Sequence, residues 1–105
     1  MPNEPMGPVI VGVDGSPESL AAVDLAAEEA VGRVTPLLVL HAAPPGEGAR
    51  YELVDAAIAR ARGEHPGLSV AGDVVTGEPA LALLARSGDA CLAVVGHRGR
   101  CRANG

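Results

Sequence analysis

Two polar turns carry the residues with the most useful chemistry in this chain. The first, Asp14-Gly15-Ser16, follows an apolar run at 9–13, and the second, Gly96-His97-Arg98-Gly99, follows an apolar run at 90–95. A carboxylate such as Asp14 accepts hydrogen bonds from sugar hydroxyls or helps to hold Mg²⁺. Glycines allow close backbone approach, and Arg98 and His97 can donate to phosphate oxygens. Together the two turns indicate a nucleotide site.

Each turn also has a purely structural interpretation. Asp14 can cap the helix that follows it, and Gly96 and Gly99 can belong to an ordinary loop at the end of a strand. The Gly-x-x-Gly spacing alone does not separate these alternatives. His41, which ends another apolar run, is more typical of a buried histidine with a hydrogen-bond partner than of a catalytic one. The series Arg98, Arg100, Arg102 is open to two readings, an anion-attracting segment or a solvated tail.

The elements that would position these turns alternate regularly along the chain. Hydrophobic periodicity predicts the order β-α-β-α-β-α-β. The strands are predicted at 9–13, within 36–43, at 68–76 and at 90–95. The helices are predicted from the N-cap Ser16 to Gly32, at 50–62 and from Glu78 to about Gly88. Tyr51 belongs to the apolar stripe of the second helix. This alternation predicts a doubly wound parallel sheet of order 3-2-1-4 in a three-layer α/β/α fold, with strand 3 at an edge.

The predicted topology explains how residues so far apart in sequence could share a site. Open parallel sheets bind ligands beyond the carboxyl ends of their strands, where the winding direction reverses. In the order 3-2-1-4 that point lies between strands 1 and 4. Asp14 and the 96–99 turn would therefore flank one crevice.

Composition excludes several classes of function. The chain has 105 residues, enough for one domain, and a net charge of −5 with a single aromatic residue. These values argue against a nucleic-acid partner, which favours basic surfaces and aromatic stacking platforms. The leader has no secretory pattern, and no apolar stretch is long enough to span a membrane, so a cytoplasmic protein without membrane partners is expected.

Motif searches exclude the common nucleotide and hydrolase signatures. There is no Gly-x-Gly-x-x-Gly, no Gly-x-Ser-x-Gly and no lysine to complete a P-loop. Cys91, His97 and Cys101 lack the spacing of a zinc site. The prediction is therefore a binding domain without catalytic residues and without a structural metal, with a slow ATP hydrolase as the weaker alternative.

The quoted motifs, taken together, resemble the universal stress protein family. The similarity rests on segments that cover nearly the whole chain up to Arg100: Ile10–Ser16, Leu40-His41-Ala42, Gly77-Glu78-Pro79-Ala80 and Val94–Arg100. The resemblance implies a role in the stress response, binding of ATP with Mg²⁺, and a homodimer. It implies a nucleotide-binding set composed of Gly12, Val13, Asp14, Ala42, Gly96, His97, Arg98 and Gly99.

The sequence departs from the family pattern after Gly99. The family motif continues as Gly-x-x-Gly-x(9)-Gly-Ser/Thr, whereas only six residues follow Gly99 here. The expectation is a C-terminally truncated domain: a flexible leader at 1–8, an incomplete α/β domain at 9–99 that lacks the last helix and strand, and a polar tail at 100–105. ATP binding would then be weakened or lost. The alternative function is a nucleotide-independent interaction module that dimerises through strand 4, left as an exposed edge.

Overall fold

The structure is a computed structural model that describes residues 7–43, 46, 48–77, 92–97 and 100–104. The described elements, in chain order, are β1 (Val9–Gly12), α1 (Pro17–Arg33), β2 (Leu37–Ala43), α2 (Tyr51–Glu64), β3 (Val70–Thr76), β4 (Leu92–His97) and β5 (Arg100–Asn104). The α/β fold class predicted from the sequence is confirmed. The predicted third helix, from Glu78 to about Gly88, lies outside the described residues.

The strands form one sheet in the order β3-β2-β1-β4-β5. The first four strands in this order run parallel, as the alternation of strands and helices requires. Gly12, at the end of β1, pairs with Leu40 of β2 on one side and with Val95 of β4 on the other. β3 occupies an edge, in agreement with its looser apolar pattern.

Alternate residues of the central strands bury against opposite faces of the sheet. Val9 and Val11 belong to the main core, which also includes buried residues of both α1 and α2. Ile10 and Leu40 form a second, smaller cluster with Leu38 and Val75. Both described helices therefore cover the same face, the arrangement that right-handed crossovers give when successive strands are added in one direction.

The sheet does not end at β4, which corrects two expectations. Residues 100–104, predicted as part of a polar tail, form a strand that pairs antiparallel with β4, so β4 is not an exposed edge. His97 pairs with Arg100, and two residues separate them, the length of a tight hairpin connection. The sequence Arg-Cys-Arg-Ala-Asn alternates polar and less polar residues, as a strand with one solvated face does.

The C-terminal end of α1 also differs from the prediction. Gly32, expected to end the helix, lies inside it, and the cap is Val34 in the left-handed conformation with φ 55° and ψ 52°. The Val34 amide bonds the carbonyls of Ala30 and Val31, which closes the last turn. In α2, Tyr51 belongs to the predicted apolar stripe, but its side chain is 63% exposed. It is the first residue of the helix, and the buried residues of α2 begin at Val54.

Candidate functional site

The Asp14 turn leaves the carboxyl end of β1 and leads directly into α1. Ser16 is the N-cap predicted from sequence: its hydroxyl accepts the Ser19 amide at 3.1 Å. Asp14 accepts the Ser16 amide through Oδ1 at 2.9 Å, the usual Asx turn. The buried Ser19 hydroxyl donates to the Ser16 carbonyl at 2.9 Å and accepts the Asp14 amide at 3.4 Å. This network fixes the turn while the Asp14 side chain stays exposed.

The hydrogen bonds of the turn keep Asp14 charged. Partial burial acts to raise the pKa of Asp14, but hydrogen bonds from Ser16 and Ser19 together outweigh it, and the pKa lies below its usual value. Asp14 therefore presents a carboxylate, an acceptor without a proton of its own, at neutral pH.

Gly15 lets the turn lie against α2. Its φ of 87° falls in the left-handed region that favours glycine. A Cβ at this position would lie 3.0 Å from the Leu53 Cδ2 atom in the first turn of α2. The turn is thus fixed by its connection to β1, by the hydrogen bonds of the α1 cap and by its close approach to α2.

The strand register places the Asp14 turn beside the carboxyl end of β4. Gly12 and Val95 are partners, so Asp14 follows β1 at the edge where Gly96 and His97 complete β4. Neighbouring strands are separated by about 4.8 Å, a distance that one small ligand spans. The structure thus brings the first predicted turn and the start of the second to the same edge of the sheet.

The second turn does not have the predicted form in the part of it that is described. Gly96 and His97 belong to β4 and pair with Cys101 and Arg100 of β5, so they are not part of a free loop. Arg98 and Gly99 lie outside the described residues. The hairpin also brings the backbone of Arg100 to this edge, a placement that sequence reasoning missed because residues 100–105 were predicted as a polar tail.

β2 contributes two residues to the same edge. Ala42, one of the nucleotide-binding residues implied by the family resemblance, is buried at 9% exposure and pairs with Val75 of β3. His41 is 7% exposed, and its Nδ1 atom lies 2.9 Å from the Val13 carbonyl oxygen. The Val13 amide in turn donates to the Leu40 carbonyl at 2.9 Å. β2 therefore contacts the residue that immediately precedes Asp14.

A groove of about 580 Å³ lies at the opposite, amino end of the sheet and does not coincide with these residues. Its lining includes Val31, Val34, Pro36 and Leu68. The carboxyl edge remains the candidate site because it carries the exposed carboxylate and the reversal of winding direction. Within the described ranges, no cluster of three metal-ligating side chains occurs, and no helix has the length and apolar character needed to cross a membrane.

Comparison with known proteins agrees with the fold. A sequence model of the universal stress protein family matches residues 6–51. The universal stress protein Rv2623 of Mycobacterium tuberculosis is 34% identical over 95% of this chain, which spans 38% of that relative's length. The crystal structure of protein Rv1636 from M. tuberculosis H37Rv superposes on this chain with a TM-score of 0.73 at 33% identity. The superposition covers 93% of this chain and 77% of Rv1636.

A further solved structure is a universal stress protein in complex with cAMP. It superposes with a TM-score of 0.66 at 27% identity and covers 78% of this chain and 68% of its own. The similarity in sequence thus extends over nearly the whole chain, and the structural superpositions extend it to the fold. This chain belongs to the universal stress protein family.

Proposed function

We propose that this domain binds an adenine nucleotide at the carboxyl edge of its sheet, between β1 and β4. The observation that carries the proposal is the placement of an exposed, ionised Asp14 beside the end of β4. The cAMP complex of a related protein supports the choice of ligand class. The role in the stress response and the cytoplasmic location expected from the sequence belong to the same proposal.

The residues at this edge suit different parts of a nucleotide. Asp14 would accept hydrogen bonds from ribose hydroxyls, and a charged acceptor strengthens such bonds. Ala42 would contact the base. Gly12 and Gly96 lack side chains, so the sugar and phosphates could approach the backbone closely. The backbones of His97 and Arg100 pair across the β4–β5 hairpin at this edge, and imidazole and guanidinium groups can donate hydrogen bonds to phosphate oxygens.

The proposed affinity for ATP is weak. In the family pattern, the Gly-x-x-Gly segment follows strand 4 and surrounds the phosphates. Here the backbones of Gly96 and His97 are paired with β5, which leaves fewer free amides for phosphate oxygens. Mg²⁺ would accompany ATP and be held chiefly by the phosphates, the usual arrangement for this ion.

Calorimetric titration tests the proposal. The protein is titrated with Mg-ATP and, separately, with cAMP, and the Asp14→Asn variant is compared with Asp55→Asn, an equal charge change at an exposed α2 position. Loss of a hydrogen bond to a charged group costs about 1.5–3 kcal/mol, so Asp14→Asn should weaken binding roughly tenfold or more. Asp55→Asn should bind as the wild type does. No heat from the wild type with either nucleotide would refute the proposal.

A second candidate function rests on β5. This strand has a partner on one side only in the described sheet, so its outer backbone groups are available to another strand. The interaction module predicted with strand 4 as its edge would then use β5 and form a homodimer independent of nucleotide. Sedimentation over a wide protein concentration range tests this: a nucleotide-independent dimer supports it, and a monomer at every concentration contradicts it.

A further inference from the structure

His41, near the carboxyl end of β2, contacts the peptide group that joins Val13 to Asp14. His41 is buried, and its Nδ1 atom lies 2.9 Å from the Val13 carbonyl oxygen. A carbonyl oxygen can only accept, so the hydrogen must be on Nδ1. This contact fixes the tautomer of the ring as well as its direction.

The same peptide is held at both of its polar atoms. The carbonyl of Val13 and the amide of Asp14 belong to one rigid plane. His41 binds the carbonyl, while the amide donates to the buried Ser19 hydroxyl at 3.4 Å. The preceding amide, that of Val13, donates to the Leu40 carbonyl. The direction in which the chain leaves β1 is thereby set by two consecutive residues of β2.

We propose that His41 is a positioning residue for the ribose-binding carboxylate of Asp14. Without the ring, the Val13 carbonyl loses its side-chain partner, and the peptide plane is free to rotate about the hydrogen bond to Ser19. Asp14 would then leave β1 in several directions, so the nucleotide would have to select the productive one at a cost in affinity. This inference rests on the proposed function.

Three substitutions at His41 separate positioning from packing. Asn places an amide donor close to the position of Nδ1, Gln places it one bond further out, and Leu fills similar space without a donor. We expect His41→Asn to retain most of the wild-type ATP affinity, and His41→Gln and His41→Leu to lose roughly tenfold. Amide spectra of each variant report whether the fold is intact.

A double-mutant cycle with Asp14→Asn provides the decisive readout. If His41 acts through Asp14, His41→Leu should have little further effect on ATP affinity in the Asp14→Asn background. Equal losses in both backgrounds would overturn the proposal, as would an His41→Leu variant that is folded and binds ATP as the wild type does. Should His41→Leu not fold, the comparison of His41→Asn with His41→Gln decides by the same criterion.

A nucleotide-free measurement distinguishes failure of this inference from failure of the proposed function. The ¹⁵N shifts of the His41 ring should show a hydrogen on Nδ1, and His41→Leu should displace the Asp14 amide resonance. A ring protonated only at Nε2 would refute the positioning role whatever the calorimetry shows. Wild-type protein with the expected ring signature but no ATP heat would instead refute the nucleotide proposal, and the positioning of a ribose ligand with it.

Discussion

The C-terminal end of α1 allows a stability test, because a valine there holds the left-handed cap and a glycine lies inside the helix. Val34 holds the left-handed cap and is 91% exposed, so its side chain contributes little packing. The left-handed conformation costs a non-glycine residue about 1–2 kcal/mol, and the unfolded-state entropy of glycine offsets about half of that. Val34→Gly should therefore raise the free energy of unfolding by about 0.5–1 kcal/mol.

At Gly32 the reverse substitution, from glycine to a larger residue, should also raise the free energy of unfolding. Gly32 lies within α1, and a Cβ there would meet nothing within 4 Å. Gly32→Ala should stabilise by up to about 0.5–1 kcal/mol because alanine loses less backbone entropy in a helix. For a domain of this size each kcal/mol corresponds to roughly 4–8 °C in Tm, which urea and thermal unfolding followed by circular dichroism resolve.

Val31→Gly is the matched control, because Val31 is helical and 45% exposed. The same chemical change should destabilise the protein there by about 0.5–1 kcal/mol. A loss of stability in Val34→Gly as large as in Val31→Gly would refute the strained cap. Destabilisation by Gly32→Ala would mean that glycine ends the helix, as the sequence pattern indicated.

Three further perturbations test other parts of the structure. Gly72→Ala should destabilise by about 1–3 kcal/mol in urea unfolding, because a methyl group there would overlap α2 side chains, coming within 2.8 Å of the Ile58 Cδ1 atom; wild-type stability would contradict this close approach of α2 to β3. Ser16→Ala should cost about 1 kcal/mol through loss of the N-cap, and Ser16→Asn should restore most of it. Asp14 and Asp24 have pKa values lowered in the fold, Asp24 chiefly by its hydrogen bonds from Arg60. Their contribution to stability is complete above the unfolded-state pKa of about 3.9 and is lost as the pH falls through the lower pKa values of the folded state. Asp24→Asn should therefore reduce the slope of unfolding free energy against pH below about pH 3.9. An unchanged slope would count against the Asp24–Arg60 pair.

The parts of the fold that local chemistry dictates could be predicted from the sequence. Continuous apolar runs gave the parallel strands, and Ser16-Pro17 gave the start of α1, which the N-cap geometry confirms. The position of Asp14 at the carboxyl end of β1 followed from the same reasoning. These features depend on residues close in sequence, so a single chain is enough to recognise them.

The errors arose where pairing partners or strain decide the outcome. β5 was missed because its residues are polar; an edge strand needs only one partner and one packed face, and the alternation in Arg-Cys-Arg-Ala-Asn was the available signal. The cap at Val34 was missed because valine is rarely left-handed, and nothing in the local sequence favours it over Gly32. The form of the second turn depended on β5, so the error in the strand carried over to the site.

The most direct test of the account is a nucleotide titration of the ¹⁵N-labelled protein followed by amide spectra. Nucleotide at the carboxyl edge of the sheet should shift the amides of Val13, Asp14, Ala42 and Gly96, and leave those around Val34 and Leu68, at the amino edge, unchanged. Shifts confined to the amino edge, or no shifts with saturating Mg-ATP or cAMP, would contradict it.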